Sequence, residues 1–460
     1  MKKLSIRESF ALLFLLLIMI GVSIIKFNLD PQTPLLLAIT VLIIWGRFRK
    51  HSWEEIHEGI QKGVKTGIIP MIIFILIGAL IAIWIASGII PSMMVVGFKL
   101  LNPSFFIPSV FLICAVVGTS IGSAFTTVST IGLAFLGMGT AMGFAPGLVA
   151  GAIVSGSVFG DKMSPLSDST NLSAAVAEVD LFKHIKNLMW TTIPSLILSA
   201  LLFLFLGMNK QLATTNQVVG LTKVIETNFT VSWLAAIPIV LIFISSWKRI
   251  PAIPTLLINI AVSIGLLNIH SPEVSLSQMS SYIQEGYVST TGNEIIDALL
   301  SRGGVQSMMW SISLIILALA LGGLLMEFKI IDTVMAPISN ARLSIGNLIL
   351  VTALSAIGVN ALVGEQYLAI VLPGNAFKKT YKKMGLSPLA LSRVLEDAGA
   401  VMNSLIPWGV SGVFISTALG VPTLTYLPYT FFCLFSPILT VISGYTNIGI
   451  KKLKPSTLTD

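Results

Sequence analysis

Eight apolar runs of bilayer-crossing length frame this chain, at about 9–26, 33–48, 67–88, 187–207, 230–246, 253–268, 305–326 and 425–446. A hydrocarbon core about 30 Å thick is crossed by roughly 20 apolar residues in a helix. Only 10% of the residues are charged and the mean hydropathy is +0.92, whereas soluble domains carry about 25% charged residues. The chain therefore reads as an all-α polytopic membrane protein whose first partner is the lipid bilayer. No hydrophilic block is long enough for a separate soluble domain, so residues 1–460 form one membrane domain. The first run, Phe10–Ile25, lacks a small-residue cleavage site and reads as a retained span.

Cys114 and Cys433 lie in different apolar segments, which argues against a disulfide or a metal pair. His51, His57, His184 and His270 all fall outside the predicted spans, which argues against an intramembrane His–metal or haem site. The net charge of +8 suggests nucleic acid until the positions are inspected. Loops 1–8, 47–66, 173–187, 247–250, 327–343, 376–385 and 447–460 hold 21 of the 28 Lys and Arg, and the alternate loops hold five. Basic loops stay in the cytoplasm, so both termini are expected there and no nucleic-acid partner is expected. Exposed histidines in those loops are candidate pH sensors.

Two regions rich in Gly, Ser, Thr and Pro interrupt the apolar pattern, 104–172 and 343–418. Each reads as a helix pair, 104–121 with 124–140 and 343–359 with 362–378, followed by an interrupted helix, 145–180 and 386–418. A shift of 242 superposes Pro146 on Pro388, Pro165 on Pro407, Gly122 on Gly364, Phe125 on Tyr367 and Asp161 on Asn403. The order of parts recurs too: two spans, an amphipathic segment (52–65, 292–302), a span, a helix pair, a broken helix and a last span. Each half, 8–208 and 229–447, then holds five crossings plus a re-entrant hairpin. An odd number of crossings makes two such repeats inverted, the architecture of secondary transporters.

The hairpin tips fall near Gly118–Ser123 and Asn360–Glu365. Thr119, Ser120, Ser123 and Asn360 offer neutral oxygens there, and each tip is expected to meet the broken helix of its own half. In the first half that is Gly160-Asp-Lys-Met-Ser-Pro-Leu-Ser-Asp-Ser-Thr-Asn171; in the second it is Asn403–Trp408 with Asn403 and Ser404. A charge at bilayer depth costs roughly 2.5–3.5 kcal/mol on insertion scales, a cost that persists where the residue handles an ion or a substrate. A carboxylate that holds either a proton or Na⁺ is the minimal machinery of exchange. Asp161, at the break, is the main ion-binding carboxylate, and Asp168 is either the second Na⁺ ligand or a cap for the following half-helix. Lys162 either neutralises one of them or snorkels outward. Glu365, standing where the first half has Ser123, is the foremost proton carrier. Asp397 is a further proton-coupling candidate, with an internal salt bridge from Arg393 to Glu396 and Asp397 as the alternative. Ser155, Gly156 and Ser157 read as packing residues.

No GxxxxGK[ST], HExxH or CxxC pattern occurs, so the energy comes from an ion gradient or the membrane potential, and no cofactor is expected beyond the transported Na⁺ and H⁺. The Gly160–Asn171 stretch resembles the signature of the NhaC-type sodium/proton antiporter family, within the ion-transporter superfamily. That resemblance implies Na⁺ efflux in exchange for H⁺ at the bacterial plasma membrane, and it carries over Asp161, Ser164, Ser167, Asp168 and Asn171 as functional positions. Proteins resembling it include a malate/lactate antiporter, so an organic-acid exchanger coupled to Na⁺ and H⁺ is the alternative, with small carboxylic acids as partners. Half-helix N-termini, Arg393 and Lys162 would serve a carboxylate. Helices apolar on all sides also leave room for a homodimer face.

Overall fold

A computed structural model describes residues 4–27, 29–208, 215–339 and 343–453. The chain ends, expected in the cytoplasm, lie partly outside the described residues, at 1–3 and 454–460. The described chain is helical throughout, with two isolated β-bridges, Tyr287 to Arg302 and Leu386 to Lys452. Eight described helices are long and apolar enough to cross a membrane, and eleven are if each of three sharply bent pairs is taken as one span.

Both predicted helix pairs are present. The first joins α1 (Phe106–Ile121) to α2 (Ala124–Ala141), and the second joins α3 (Ile345–Val363) to α4 (Gln366–Lys383). Their tips are built alike. Gly122 and Gly364 end the leading helices in the left-handed region, at φ 75° and 73°, where only glycine is free of Cβ strain. The next residue then caps the return helix, Ser123 through Thr126 N–H and Glu365 through Leu368 N–H.

The interrupted helices are also present and also matched. α5 (Pro146–Met163) gives way at Ser164–Ser167 to the half-helix α6 (Asp168–Val176). α7 (Pro388–Leu405) bends by 43° into α8 (Val410–Leu419). Each starts with a proline at its first turn, which costs no hydrogen bond there.

α1 lies along α5 with almost no space between the backbones. A Cβ on Gly160 would meet the amide nitrogen of Thr119 at 2.4 Å, and one on Gly156 would meet the carbonyl of Phe111 at 2.3 Å. Gly160→Ala is therefore expected to push the broken helix off the hairpin. Overpacking of this kind costs about 1–3 kcal/mol, so the purified variant should unfold at a lower temperature than wild type.

The repeat boundaries expected from the sequence do not divide the packing. One core joins residues 74–158 to 401–433, and the other joins residues 12–56 to 314–398. The amphipathic segment expected at 52–65 forms the helix Trp53–Thr66, opened by a Ser52/Glu55 capping box. Its small-residue face is docked on Val305–Glu327, where a Cβ on Gly63 would meet the Leu319 carbonyl at 2.1 Å. The segment expected at 292–302 is the short helix Glu294–Leu300.

One span starts earlier than the apolar run suggests. The helix Leu181–Met208 begins six residues before 187, which brings His184 inside it, and His184 is fully buried. His51 is also buried, and its ring nitrogen bonds Glu55 at 3.0 Å. The reading of both as exposed loop histidines is corrected accordingly; His57 stays exposed.

Candidate ion-exchange site

A cavity of about 1400 Å³ is lined by both hairpin tips and both broken helices. Tip one contributes Gly122, Ser123 and Thr126, and tip two contributes Gln366 and Tyr367. The first break contributes Asp161, Ser167, Asp168, Ser169 and Asn171; the second broken helix contributes Glu396, Ser404 and Ser411. Thr66, Phe182 and Arg249, from segments that read as basic loops in the sequence, also line it. Irregular backbone at this depth is stable where it lines such a space.

The break itself is organised by its own side chains. Ser167 caps α6 by accepting from Thr170 N–H at 3.4 Å. Asn171 Nδ2 donates to the carbonyls of Pro165 at 2.9 Å and Ser167 at 2.7 Å, clamping the loop. Ser164 accepts from Leu166 N–H at 3.3 Å and is closed off from the cavity beneath Gly122. Asp161 is half-buried, and Asp168 and Asn171 face open space. The expected capping role of Asp168 falls instead to Ser167, because Asp168 is already inside the half-helix.

Lys162 neither serves Asp161 or Asp168 nor snorkels. It reaches across the halves, buried, to form an ion pair with Asp397, and donates to Ser436 Oγ at 2.9 Å. Ser436 and Thr191 hydroxyls donate to the same carboxylate, at 2.8 and 2.9 Å. Arg393 is turned away, donating to Ser443 Oγ at 2.7 Å and to the Gly449 carbonyl at 3.2 Å. The expected bridge from Arg393 to Glu396 and Asp397 is therefore corrected. A wide π-helical turn at Leu395–Ala400 changes the side-chain register just where i,i+3 and i,i+4 spacing would have placed them.

Glu396 is the carboxylate that sequence reasoning passed over. It faces the cavity and is held by hydroxyls of α6, with Ser173 donating at 2.6 Å, Ser169 at 3.1 Å and Thr170 at 3.4 Å. Three hydroxyls within one turn and a half of α6 were the available signal; their common target lies more than 220 positions away in sequence. Asp161, Asp168 and Glu396 thus line one space, while the nearest cation, Lys162, is already paired.

Other expected site residues are spent on structure. Asn360 donates to the Gly399 carbonyl at 2.6 Å, and Asn403 donates to Asn360 at 2.8 Å and accepts from Ser411 N–H at 2.8 Å. Together with Trp408, which donates to the Ala361 carbonyl at 2.7 Å, they stitch tip two to the second break. Glu365 spends its carboxylate capping α4 and does not line the cavity. Thr119 and Ser120 bond back to the carbonyls of Ala115 and Val116, and neither lines the cavity. Ser120 lies on the exposed face of α1 with Leu112 and Val116. Ser404, at the cavity wall, donates to the Val401 carbonyl at 2.9 Å. Tip one is further held by Ser246, whose hydroxyl donates to the carbonyls of Ser120 and Ile121 at 2.8 and 2.9 Å.

The model of the Na⁺/H⁺ antiporter family matches residues 9–168 and 156–448. The chain belongs to that family. It is 41% identical to the Na(+)/H(+) antiporter NhaC of Alkalihalophilus pseudofirmus over 98% of each chain. It is 38% identical to the NhaC of Bacillus subtilis over 97% of this chain and 99% of that one. Relatives with organic cargo in their names are less similar. The arginine/ornithine antiporter ArcD of Halobacterium salinarum is 35% identical, over 93% of this chain and 89% of that one. A malate-2H(+)/Na(+)-lactate antiporter of Bacillus subtilis is 29% identical over 97% of each. The organic-acid alternative is accordingly not favoured. Membership makes this a multi-pass membrane protein of a transporter family.

Proposed function

We propose that the chain exchanges Na⁺ for H⁺ across the bacterial plasma membrane by alternating access, with Na⁺ held at Asp161 and Asp168 and a proton competing for Asp161. The observation that carries this reading is the single cavity lined by both tips and both breaks, with three carboxylates on its wall. Hard cations such as Na⁺ take oxygen ligands, and the first break offers carboxylate, hydroxyl and carbonyl oxygens, while its one ammonium, Lys162, is paired with Asp397. Because a proton and Na⁺ cannot share one carboxylate, loading one releases the other.

Residues of the basic segments line the cavity, which supports an inward-facing state with both termini in the cytoplasm. The matched tips and breaks at a spacing of 242 support reading 8–208 and 229–447 as inverted repeats. Glu365 and Asp397 are less suited to carry the exchanged proton, one being a helix cap and the other an ion-pair partner.

Purified protein in liposomes, loaded at low internal pH, is expected to take up ²²Na⁺ as protons leave. Unlabelled Na⁺ should compete, whereas malate and lactate should neither compete nor be required. Uptake that appears only with an organic acid inside would replace this reading.

A further inference from the structure

Two serine hydroxyls lead from the first break, where Asp161 lies, to the Glu396 carboxylate of the second broken helix. Ser167 lines the cavity together with Asp161, and its hydroxyl lies 3.1 Å from the Ser169 hydroxyl. Ser169 in turn donates to Glu396 at 3.1 Å. A hydroxyl has one hydrogen to give, so the two links are not independent.

We infer that Ser167 and Ser169 form a hydrogen-bond relay that ties Na⁺ at Asp161 to loss of a second proton from Glu396. This deepens the proposed exchange and rests on Na⁺ binding at Asp161. When Na⁺ sits on Asp161 and the Ser167 oxygen, the Ser167 hydrogen points away from the cation, toward Ser169. Ser169 then gives its own hydrogen to Glu396, which accepts it as a carboxylate. In the reverse state Glu396 carries a proton on the oxygen facing Ser169 and donates it there. Ser169 turns to donate to Ser167, and the Ser167 hydrogen points at Asp161, where it opposes a cation. No covalent bond is made between these groups; the proton on Glu396 comes from and returns to water in the cavity.

The charges around the relay are those of each packed element. Asp161 and Lys162 come from α5, Asp168 from α6, Tyr367 and Glu365 from α4, Asp397 and Arg393 from α7, His184 from the helix Leu181–Met208 and Arg249 from the loop 247–250. Lys162 is committed to Asp397 and Arg393 to Ser443. Ser169 ligates nothing in this scheme; it is a positioning residue.

The test is the pH dependence of ²²Na⁺ binding to the purified full chain in detergent. Each proton displaced per Na⁺ bound changes the apparent affinity by about tenfold per pH unit in the acidic limit. Wild type is expected to approach about a hundredfold per unit, the slope for two protons. Ser169→Ala should fall to about tenfold per unit while binding Na⁺ at high pH within about threefold of wild type; Ser169→Thr should restore the steep slope. Glu396→Gln, which keeps the volume and cannot release a proton, is expected to give the shallow slope from the other end of the relay. A two-proton slope in Ser169→Ala or in Glu396→Gln would overturn the relay, as would a one-proton slope in wild type. Wild type that binds no Na⁺ at any pH would instead remove the cation site on which the relay rests.

Discussion

Asp161→Asn is expected to abolish Na⁺-dependent proton movement, not merely to weaken it. Asn keeps the shape of the side chain and can still offer one oxygen, but it has neither the charge that attracts Na⁺ nor a proton to exchange for it. The surrounding clamp does not depend on the Asp161 carboxylate: Asn171 holds the Pro165 and Ser167 carbonyls, and Ser167 caps α6. The variant should therefore fold and melt close to wild type while its exchange falls to the level of empty liposomes. Asp168→Asn, at the mouth of the same half-helix and open to the cavity, is expected to weaken apparent Na⁺ affinity and leave exchange measurable at high Na⁺.

The second large effect concerns stability. Lys162 and Asp397 are both buried, at 1% and 0% side-chain exposure, and they join the two broken helices. Removing one partner of a buried pair strands the other charge and costs about 3–5 kcal/mol, whereas replacing both by apolar groups is often neutral. Lys162→Met alone would leave Asp397 with only the Ser436 and Thr191 hydroxyls. Lys162→Met and Asp397→Leu are each expected to lower the unfolding temperature sharply, and the double variant to recover much of the loss. A double variant as unstable as the sum of the two singles would show that the pair is not what couples these helices.

The hairpin tips and the helix breaks were legible because backbone chemistry marks them. A glycine between two apolar helices, matched at Gly122 and Gly364, signals a left-handed turn. A proline at the first turn, matched at Pro146 and Pro388, signals a helix start. The partners of the charged groups were not legible. Lys162 has Asp161 beside it and Asp168 nearby, and it pairs with Asp397, 235 residues on. Helical spacing assigned Arg393 to Glu396 and Asp397, and the π-helical turn between them broke that spacing. Polar residues at a tip gave no indication of which face they occupy, so Thr119 and Ser120 were grouped with Ser123 although they lie outside the cavity wall. His184 reads as a loop residue because the apolar run begins after it, whereas the hydrogen-bonded helix begins at Leu181.

The central claim is that one carboxylate-lined cavity trades Na⁺ for protons at Asp161. Wild type and Asp161→Asn in parallel liposomes, with a pH-sensitive dye inside and a Na⁺ pulse outside, test it directly. Prompt alkalinisation of the interior with wild type and none with Asp161→Asn is the predicted result. Equal dye responses from the two proteins, or none from folded wild type, would contradict it.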